Sequence, residues 1–196
     1  NSSLSTVYPD TLTVAIAWVY LITQSITQPS ELEVSASVLA GVSCYSGNDG
    51  KLKANVGLPP TGTPPHTYLW NNQDTVSIIS SLVTGSYVVI ATDANGCMDT
   101  TEIYLGEPSD LSVSVSSTNV SCFGDDNGTI TANPFGGTPT SPSGTYTYSW
   151  TPGGQITKTA TGLAPGIYFV TVTDDNGCTD TSASVLITQP SSELVI

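Results

Sequence analysis

The chain has 196 residues and a formal net charge of −13, because three lysines and no arginine face sixteen aspartates and glutamates. Contacts with nucleic acid phosphates and with anionic membrane surfaces need Lys and Arg, so this balance argues against both as partners. Thr, Ser, Val, Gly and Asn are abundant and no segment shows the 3.6-residue period of a helix, which predicts an all-β protein.

The N-terminal segment, residues 1–28, contains a strongly β-prone stretch from residue 11 to residue 23. One interpretation is the tail of a preceding module, and another is a disordered leader. A third is a donor strand that pairs with an open sheet edge of a neighbouring subunit. Strand exchange of that kind would use the alternating side chains of Val14, Ile16, Trp18 and Tyr20. The longest apolar run, residues 14–22, is too short to span a bilayer, so we expect no membrane insertion.

Residues 29–108 and 109–190 repeat the same order of sequence features. Each begins with an alternating strand and ends with a β-rich run followed by Asn-Gly-Cys, and between them lie a Pro/Gly-rich loop and an aromatic strand that ends in Trp70 or Trp150. Short strands with turns every eight to twelve residues are typical of an immunoglobulin-like sandwich. Residues 191–196 resemble the opening strand again and are interpreted as the start of a next module. The sequence therefore predicts two tandem immunoglobulin-like β-sandwich modules.

The Asn-Gly pairs at residues 95–96 and 176–177 follow apolar strands directly. Type I′ hairpin turns need positive φ at both central residues, and Asn-Gly is the pair that accepts this most readily. We therefore predict a type I′ hairpin at each Asn-Gly.

Four cysteines occur as one pair in each repeat, and four cysteines allow three connectivities. Only the pairing of Cys44 with Cys97 and of Cys122 with Cys178 keeps each bridge inside one repeat. We therefore predict one internal disulfide per module, which places the protein in an oxidising, extracellular compartment. Reduced thiols and a metal site are the alternatives, although no CxxC pair supports zinc.

Several of these features together resemble the SprB repeat, an immunoglobulin-like module that occurs in tandem in very large surface proteins of gliding and related Bacteroidota. The matching pieces of the second module are residues 122–130, 146–150, 161–168, 172–178 and 187–190. The first module matches more loosely, through Cys44, Gly50, residues 68–70, 92–97 and 107–108. The resemblance implies a secreted or surface-anchored filament of adhesin type, exported by the type IX system.

Acidic turns are the candidate cation ligands, because calcium takes carboxylate and amide oxygens. The candidates are Asp125, Asp126 and Asn127 in one turn and Asp174 and Asp175 in the other. The proposed disulfides would carry both turns to the same end of the module. Tight turns also require Asp, Asn and Gly without any metal, which is the competing interpretation. No other cofactor is expected.

Asp-Thr sequences resemble the O-glycosylation motif of Bacteroidota, and they make Thr11, Thr75 and Thr100 candidate sugar carriers. The chain has one histidine, no arginine and no phosphate-binding loop, so we expect no enzymatic activity.

The leading hypothesis is a structural and adhesive segment of a long extracellular filament, whose partners are neighbouring modules or subunits. A subunit that polymerises by strand exchange through residues 11–23 is one alternative. Another is a module that binds surface glycans, with or without calcium, through aromatic residues such as Tyr68 and Trp150. The competing interpretation of the tryptophans is that they fill the sandwich core.

Overall fold

The computed structural model describes residues 30–57, 61–139 and 144–191, which form strands and no helix. The prediction of an all-β protein is confirmed. The strands of the first half are β1 (Val34–Ala40), β2 (Gly50–Val56), β3 (Thr67–Trp70), β4 (Ile78–Leu82), β5 (Gly85–Thr92) and β6 (Met98–Leu105). Those of the second half are β7 (Ser112–Thr118), β8 (Gly128–Phe135), β9 (Thr147–Thr151), β10 (Thr159–Leu163), β11 (Gly166–Thr173), β12 (Thr179–Thr181) and β13 (Val185–Ile187). Within the described ranges no helix is long and apolar enough to cross a membrane.

Strands β1–β6 form the first sandwich, which consists of two antiparallel sheets with the orders β1-β2-β4 and β3-β5-β6. Alternate residues of β2 and β5 face inward, as the period of two along a strand requires. The core is made by residues from both sheets: Val42, Leu52, Ala54, Trp70, Ile79, Leu82, Tyr87, Val89 and Leu105.

Strands β7–β13 form the second sandwich, which repeats this plan with the sheets β7-β8-β10 and β9-β11, the latter extended by β12 and β13. Its core consists of Val120, Ile130, Ala132, Trp150, Ala160, Leu163, Tyr168, Val170, Val172 and Ile187. The last strand of the first sandwich is continuous, whereas here residues 182–184 separate β12 from β13. The Ser182 N–H donates to the Val170 carbonyl, and the Ser182 hydroxyl oxygen accepts from the Val170 N–H at 3.1 Å.

Two features of each core match the immunoglobulin plan. Trp70 and Trp150 lie on the third strand and are 1% and 2% exposed, and their indole N–H groups donate to the carbonyls of Val76 and Thr157. Tyr87 and Tyr168 donate their hydroxyl groups to backbone carbonyls four residues upstream, in the geometry of a tyrosine corner. Each half is therefore an immunoglobulin-like sandwich.

The cysteines of one sandwich lie at opposite ends of it. The first strand begins beside the Asn-Gly-Cys turn, since the Val34 N–H donates to Asp99 Oδ2 at 2.7 Å. The chain reaches the other end just after this strand, where the Val42 N–H donates to the Gly106 carbonyl. Cys44 and Cys97 are therefore separated by the length of the β5–β6 hairpin, roughly 25 Å for eight residues.

The second sandwich has the same arrangement, with the Val113 N–H on Asp180 and the Val120 N–H on the Thr188 carbonyl. A disulfide needs Cα atoms about 4.4–6.8 Å apart. The predicted pairs Cys44–Cys97 and Cys122–Cys178 are therefore wrong.

Candidate functional site: the junction between the sandwiches

A disulfide joins the two sandwiches across their junction. Cys44, in the loop after β1, is bonded to Cys178, in the turn before β12, with a Cα–Cα distance of 5.7 Å and a sequence separation of 134 residues. Cys97 and Cys122 are free and exposed. The cysteine at the far end of the first sandwich is thus bonded to the cysteine at the near end of the second.

A hydrogen bond and a short connection accompany the bridge. The side-chain amide of Asn176 donates to the Ser43 carbonyl at 2.8 Å, and this bond also joins the two sandwiches. Between Leu105, the last residue of β6, and Ser112, the first of β7, only residues 106–111 intervene. A cleft of about 290 Å³ lies beside the bridge, lined by Cys44, Tyr45, Ser109, Asp110, Leu111, Gly137, Gly177, Cys178 and Thr179. The junction therefore leaves the sandwiches little freedom to swing apart.

The loop that carries Cys44 is held in place by two acidic side chains. The Ser43 N–H and hydroxyl both donate to the Asp49 carboxylate, at 2.9 and 2.5 Å, and these bonds hold the pKa of Asp49 below its ordinary value. The Ser46 N–H donates to Glu107 Oε2 at 2.6 Å, which ties the loop to the segment leaving β6. Asp49 and Glu107 thus position Cys44 at the end of the sandwich from which the chain leaves.

The turn that carries Cys178 is built around a buried carboxylate. Asp174 is 6% exposed. Its Oδ1 accepts the N–H groups of Asn176 and Cys178 at 3.0 and 2.8 Å, and its Oδ2 accepts the Thr138 N–H at 2.8 Å. A side chain on Gly137, which has φ +61°, would meet this carboxylate at 2.7 Å. One aspartate therefore fastens the Asn-Gly-Cys turn to the Pro/Gly-rich loop of the same sandwich.

The predicted type I′ geometry of the two Asn-Gly turns is wrong. Positive φ falls on Gly96 (84°) and Gly177 (85°), whereas neither Asn95 nor Asn176 has it. Gly96 and Gly177 donate their N–H groups to the carbonyls of Asp93 and Asp174, which closes a β-turn one residue earlier than predicted. The carboxylates stabilise this alternative, because each accepts the N–H two residues on, as Asx turns do.

The candidate calcium ligands are not brought together. Asp125, Asp126 and Asn127 follow Cys122 at the far end of the second sandwich, whereas Asp174 and Asp175 lie at the junction, so the assumption that both turns share one end is wrong. Asn127 Oδ1 accepts the Ser121 N–H at 2.9 Å, and Asp174 is occupied by backbone N–H groups. Among the described residues, no group of three or more His, Cys, Asp or Glu side chains could hold a metal ion.

The remaining candidates lie apart from the junction. Thr75 and Thr100 are exposed, the first in the β3–β4 connection and the second on β6, and their glycosylation stays a prediction. Thr11 and the strand-exchange residues Val14, Ile16, Trp18 and Tyr20 lie outside the described residues. The two core tryptophans are buried and therefore form no carbohydrate platform.

Sequence reasoning missed the junction, because the spacing of the cysteines does not reveal which ends of the sandwiches meet. The available signal was indirect: the matched positions of Glu107 and Gln189 at the exits of the two sandwiches. Gln189 Oε1 accepts the Gly124 N–H at 3.0 Å, just as Glu107 accepts that of Ser46.

Comparison with known proteins gives one family match. Residues 114–155 match the model of the SprB repeat. No curated protein sequence matches the chain.

Solved structures give weaker likenesses. A structure on Dscam isoform specificity has 16% identity, a TM-score of 0.36, and coverage of 85% of this chain and 48% of that one. A C-terminal fragment of intimin, in complex with the intimin-binding domain of its translocated receptor, has 13% identity, a TM-score of 0.36, and coverage of 83% and 65%. The ectodomain of mouse nectin-like molecule 4 has 12% identity, a TM-score of 0.34, and coverage of 85% and 67%.

This chain thus spans about half the length of the Dscam chain. TM-scores this low carry no inference about function. The family match does carry one conclusion: the resemblance to the SprB repeat is confirmed, and it lies at residues 114–155 in the second sandwich.

Proposed function

We propose that this chain is a structural and adhesive segment of a long extracellular filament, in which sandwich modules are stacked in tandem. The observation that carries the proposal is the disulfide between Cys44 and Cys178, because it covalently joins consecutive sandwiches at their junction. A bridge in this position limits hinge motion and makes the pair behave as one stiff rod. Reach and resistance to tension are the properties that a surface filament needs.

Compartment and charge support the same proposal. Disulfides form and persist in oxidising, extracellular surroundings. A net charge of −13 keeps neighbouring copies soluble and mutually repelling. The SprB-repeat match adds the expectation of a surface protein of adhesin type. Neighbouring modules or subunits are the proposed partners, surface glycans are the proposed targets of adhesion, and the proposal assigns the chain no catalytic step.

The Cys44–Cys178 bridge changes how the chain responds to tension. Force applied to the two chain ends extends only the residues outside the closed loop, because the bridge carries the load past the 134 residues between Cys44 and Cys178. At about 3.4 Å per extended residue, the protected length is roughly 450 Å. Most of both sandwiches therefore cannot be pulled out while the bridge is intact.

Single-molecule force spectroscopy of the full chain tests the proposal. The oxidised protein should extend by roughly 450 Å less than a Cys44→Ser, Cys178→Ser double variant. A Cys97→Ser, Cys122→Ser double variant is the matched control and should extend like the unmodified protein. Equal extension of all three proteins would contradict a bridge that carries the tension and remove the main support for the filament.

The strand-exchange alternative is tested separately by deleting residues 1–28. If residues 11–23 join subunits, the deletion should abolish polymers in analytical ultracentrifugation. If they are only the tail of a preceding module, the deleted protein should sediment as a monomer and keep the melting temperature of the full chain.

A further inference from the structure

We propose that Cys97 and Cys122 each form a disulfide of the Cys44–Cys178 type with the adjoining module of a tandem array. Cys122 would bond to the Asn-Gly-Cys cysteine of the following module, and Cys97 to the loop cysteine of the preceding one. The inference rests on the proposed stacking of modules and adds that every junction is covalently closed.

The loop that carries Cys122 has the construction of the loop that carries Cys44. The Ser121 N–H donates to Asn127 Oδ1 at 2.9 Å, where the Ser43 N–H donates to Asp49. The Gly124 N–H donates to Gln189, and the Val120 N–H donates to the Thr188 carbonyl at 3.0 Å. Cys122 is therefore held at the exit of the second sandwich as Cys44 is held at the exit of the first.

The turn that carries Cys97 is equally a copy of the turn that carries Cys178. Asp93 accepts the N–H groups of Thr63, Asn95 and Cys97, each at 2.9 Å, as Asp174 does in the second sandwich. The Asp93 N–H donates to the Cys97 carbonyl, and the Asp174 N–H to that of Cys178, both at 3.0 Å. Cys97 therefore occupies the entry end of the first sandwich in the geometry that is bridged at the junction.

The accompanying hydrogen bond can be repeated as well. Asn176 uses its amide group twice, donating to Thr138 Oγ1 inside its own sandwich and to Ser43 across the junction. Asn95 makes the first of these bonds, to Thr63 Oγ1 at 2.7 Å, and its amide has a second N–H to offer. The carbonyl of Ser121 is the matching acceptor on a module that precedes another. Bridge and hydrogen bond thus form one repeating unit.

The chemistry is a thiol–disulfide exchange with a small-molecule disulfide such as oxidised glutathione. One protein thiolate attacks the small disulfide and releases one glutathione thiolate, leaving a mixed disulfide on the protein. The second cysteine attacks the protein sulfur of that mixed disulfide, forms the S–S bond between modules and releases the second glutathione. The two protein thiols lose two electrons and two protons, and the small disulfide is reduced to two thiols.

A tandem fusion tests the proposal, in which residues 30–196 of a second copy follow Pro190 of the full chain. The first copy carries Cys97→Ser and the second carries Cys122→Ser, so that each of the two proposed partners occurs once. The new connection then reads Gln-Pro-Ser-Glu-Leu, close to the Glu-Pro-Ser-Asp-Leu of residues 107–111. The fusion is oxidised in glutathione buffer, alkylated, and digested without reduction by a protease specific for acidic residues, because three lysines leave trypsin few sites. Mass spectrometry then identifies the linked peptides.

The expected product links Cys122 of the first copy to Cys97 of the second, alongside a Cys44–Cys178 bridge in each copy. These two linked cysteines should be alkylated about tenfold less in the oxidised fusion than in the same fusion kept reduced. A further Cys122→Ser substitution in the first copy is the control, and it should restore full alkylation of the remaining Cys97.

Two other outcomes overturn the inference in distinguishable ways. Full alkylation of Cys122 in the first copy and of Cys97 in the second, with both Cys44–Cys178 bridges formed, would reject it and leave the proposed stacking intact. Bridges inside a sandwich, or no Cys44–Cys178 bridge at all, would reject the inference and the proposed function together.

Discussion

The two Asn-Gly-Cys turns of this protein have one construction and two different surroundings. In both, a buried aspartate accepts the N–H groups two and four residues on, and a third N–H from the Pro/Gly-rich loop. Only the second turn meets another sandwich within the described residues, where Cys178 bonds to Cys44 and Asn176 donates to Ser43. The first turn carries an exposed thiol at the matching position.

This difference shows that the turn itself does not determine whether its cysteine is bonded. The internal hydrogen bonds that orient Cys97 and Cys178 are nearly identical in length, so the two thiols are presented in the same way. What differs is the presence of a loop like that of Cys44 opposite the thiol. The turn therefore orients its cysteine by its own hydrogen bonds, and the adjoining sandwich supplies the cysteine to which it bonds.

Breaking the bridge should give the largest difference between the two turns. Closing a loop of 134 residues stabilises a protein by about 5 kcal/mol in the chain-entropy treatment. A Cys44→Ser, Cys178→Ser variant should therefore melt roughly 10–20 °C lower, whereas a Cys97→Ser, Cys122→Ser variant should melt like the parent. Differential scanning calorimetry measures both, and similar losses in the two variants would mean that the pairing is different.

Substitution of the core tryptophans should destabilise the two sandwiches to a similar extent, because each sandwich has its own buried tryptophan. Trp70→Ala and Trp150→Ala should each cost about 3–5 kcal/mol of the free energy of unfolding, through the lost transfer energy and the cavity left behind. Hydrogen–deuterium exchange followed by mass spectrometry should show lost protection chiefly in the altered sandwich. Loss spread evenly over both sandwiches would indicate a single shared folding unit.

Removing the two asparagine amides sharpens the comparison at a single hydrogen bond. Asn95→Ala and Asn176→Ala both lose a bond to a threonine hydroxyl, but only the second also loses the bond across the junction. Asn176→Ala should therefore be more destabilising, by about 0.5–1 kcal/mol, in denaturant unfolding. Equal effects would show that the Asn176–Ser43 bond contributes nothing in solution.

The smallest expected effect is a pH dependence in the first turn. The backbone N–H of Thr63, helped by those of Cys97 and Asn95, holds the pKa of Asp93 below its ordinary value of 3.8. A lowered pKa in the folded protein stabilises it above pH 3.8, and that contribution is lost as the pH falls through the folded pKa. Melting curves below pH 3.8 should therefore decline less steeply for Asp93→Asn than for the parent. Parallel decline of the two proteins would count against this role of Asp93.

Much of the fold followed from local pattern. Alternation of inward and outward residues along β5 and β11 predicted half-buried strands, and the structure confirms the all-β, immunoglobulin-like sandwiches with tryptophan in each core. The turn type was predicted wrongly because Asn-Gly was considered without the aspartate two residues before it. The carboxylate of that aspartate, at residue 93 or 174, stabilises a turn that begins one residue earlier.

The sequence by itself determined the strands and their inward-facing side chains, and it supplied four cysteines that can be oxidised to disulfides. Only the tertiary structure decided which ends of the sandwiches the cysteines occupy. Strictly alternating strand directions would put Cys44 and Cys97 at one end. However, β3 rises from Thr67, opposite Thr92, to Trp70 at mid-height, and β4 continues in the same direction in the other sheet until Leu82 lies opposite Gly50. Because β3 and β4 run in the same direction, the alternation is broken once and the two thiols lie at opposite ends. Packing between sheets, rather than residue spacing, sets the direction of each strand.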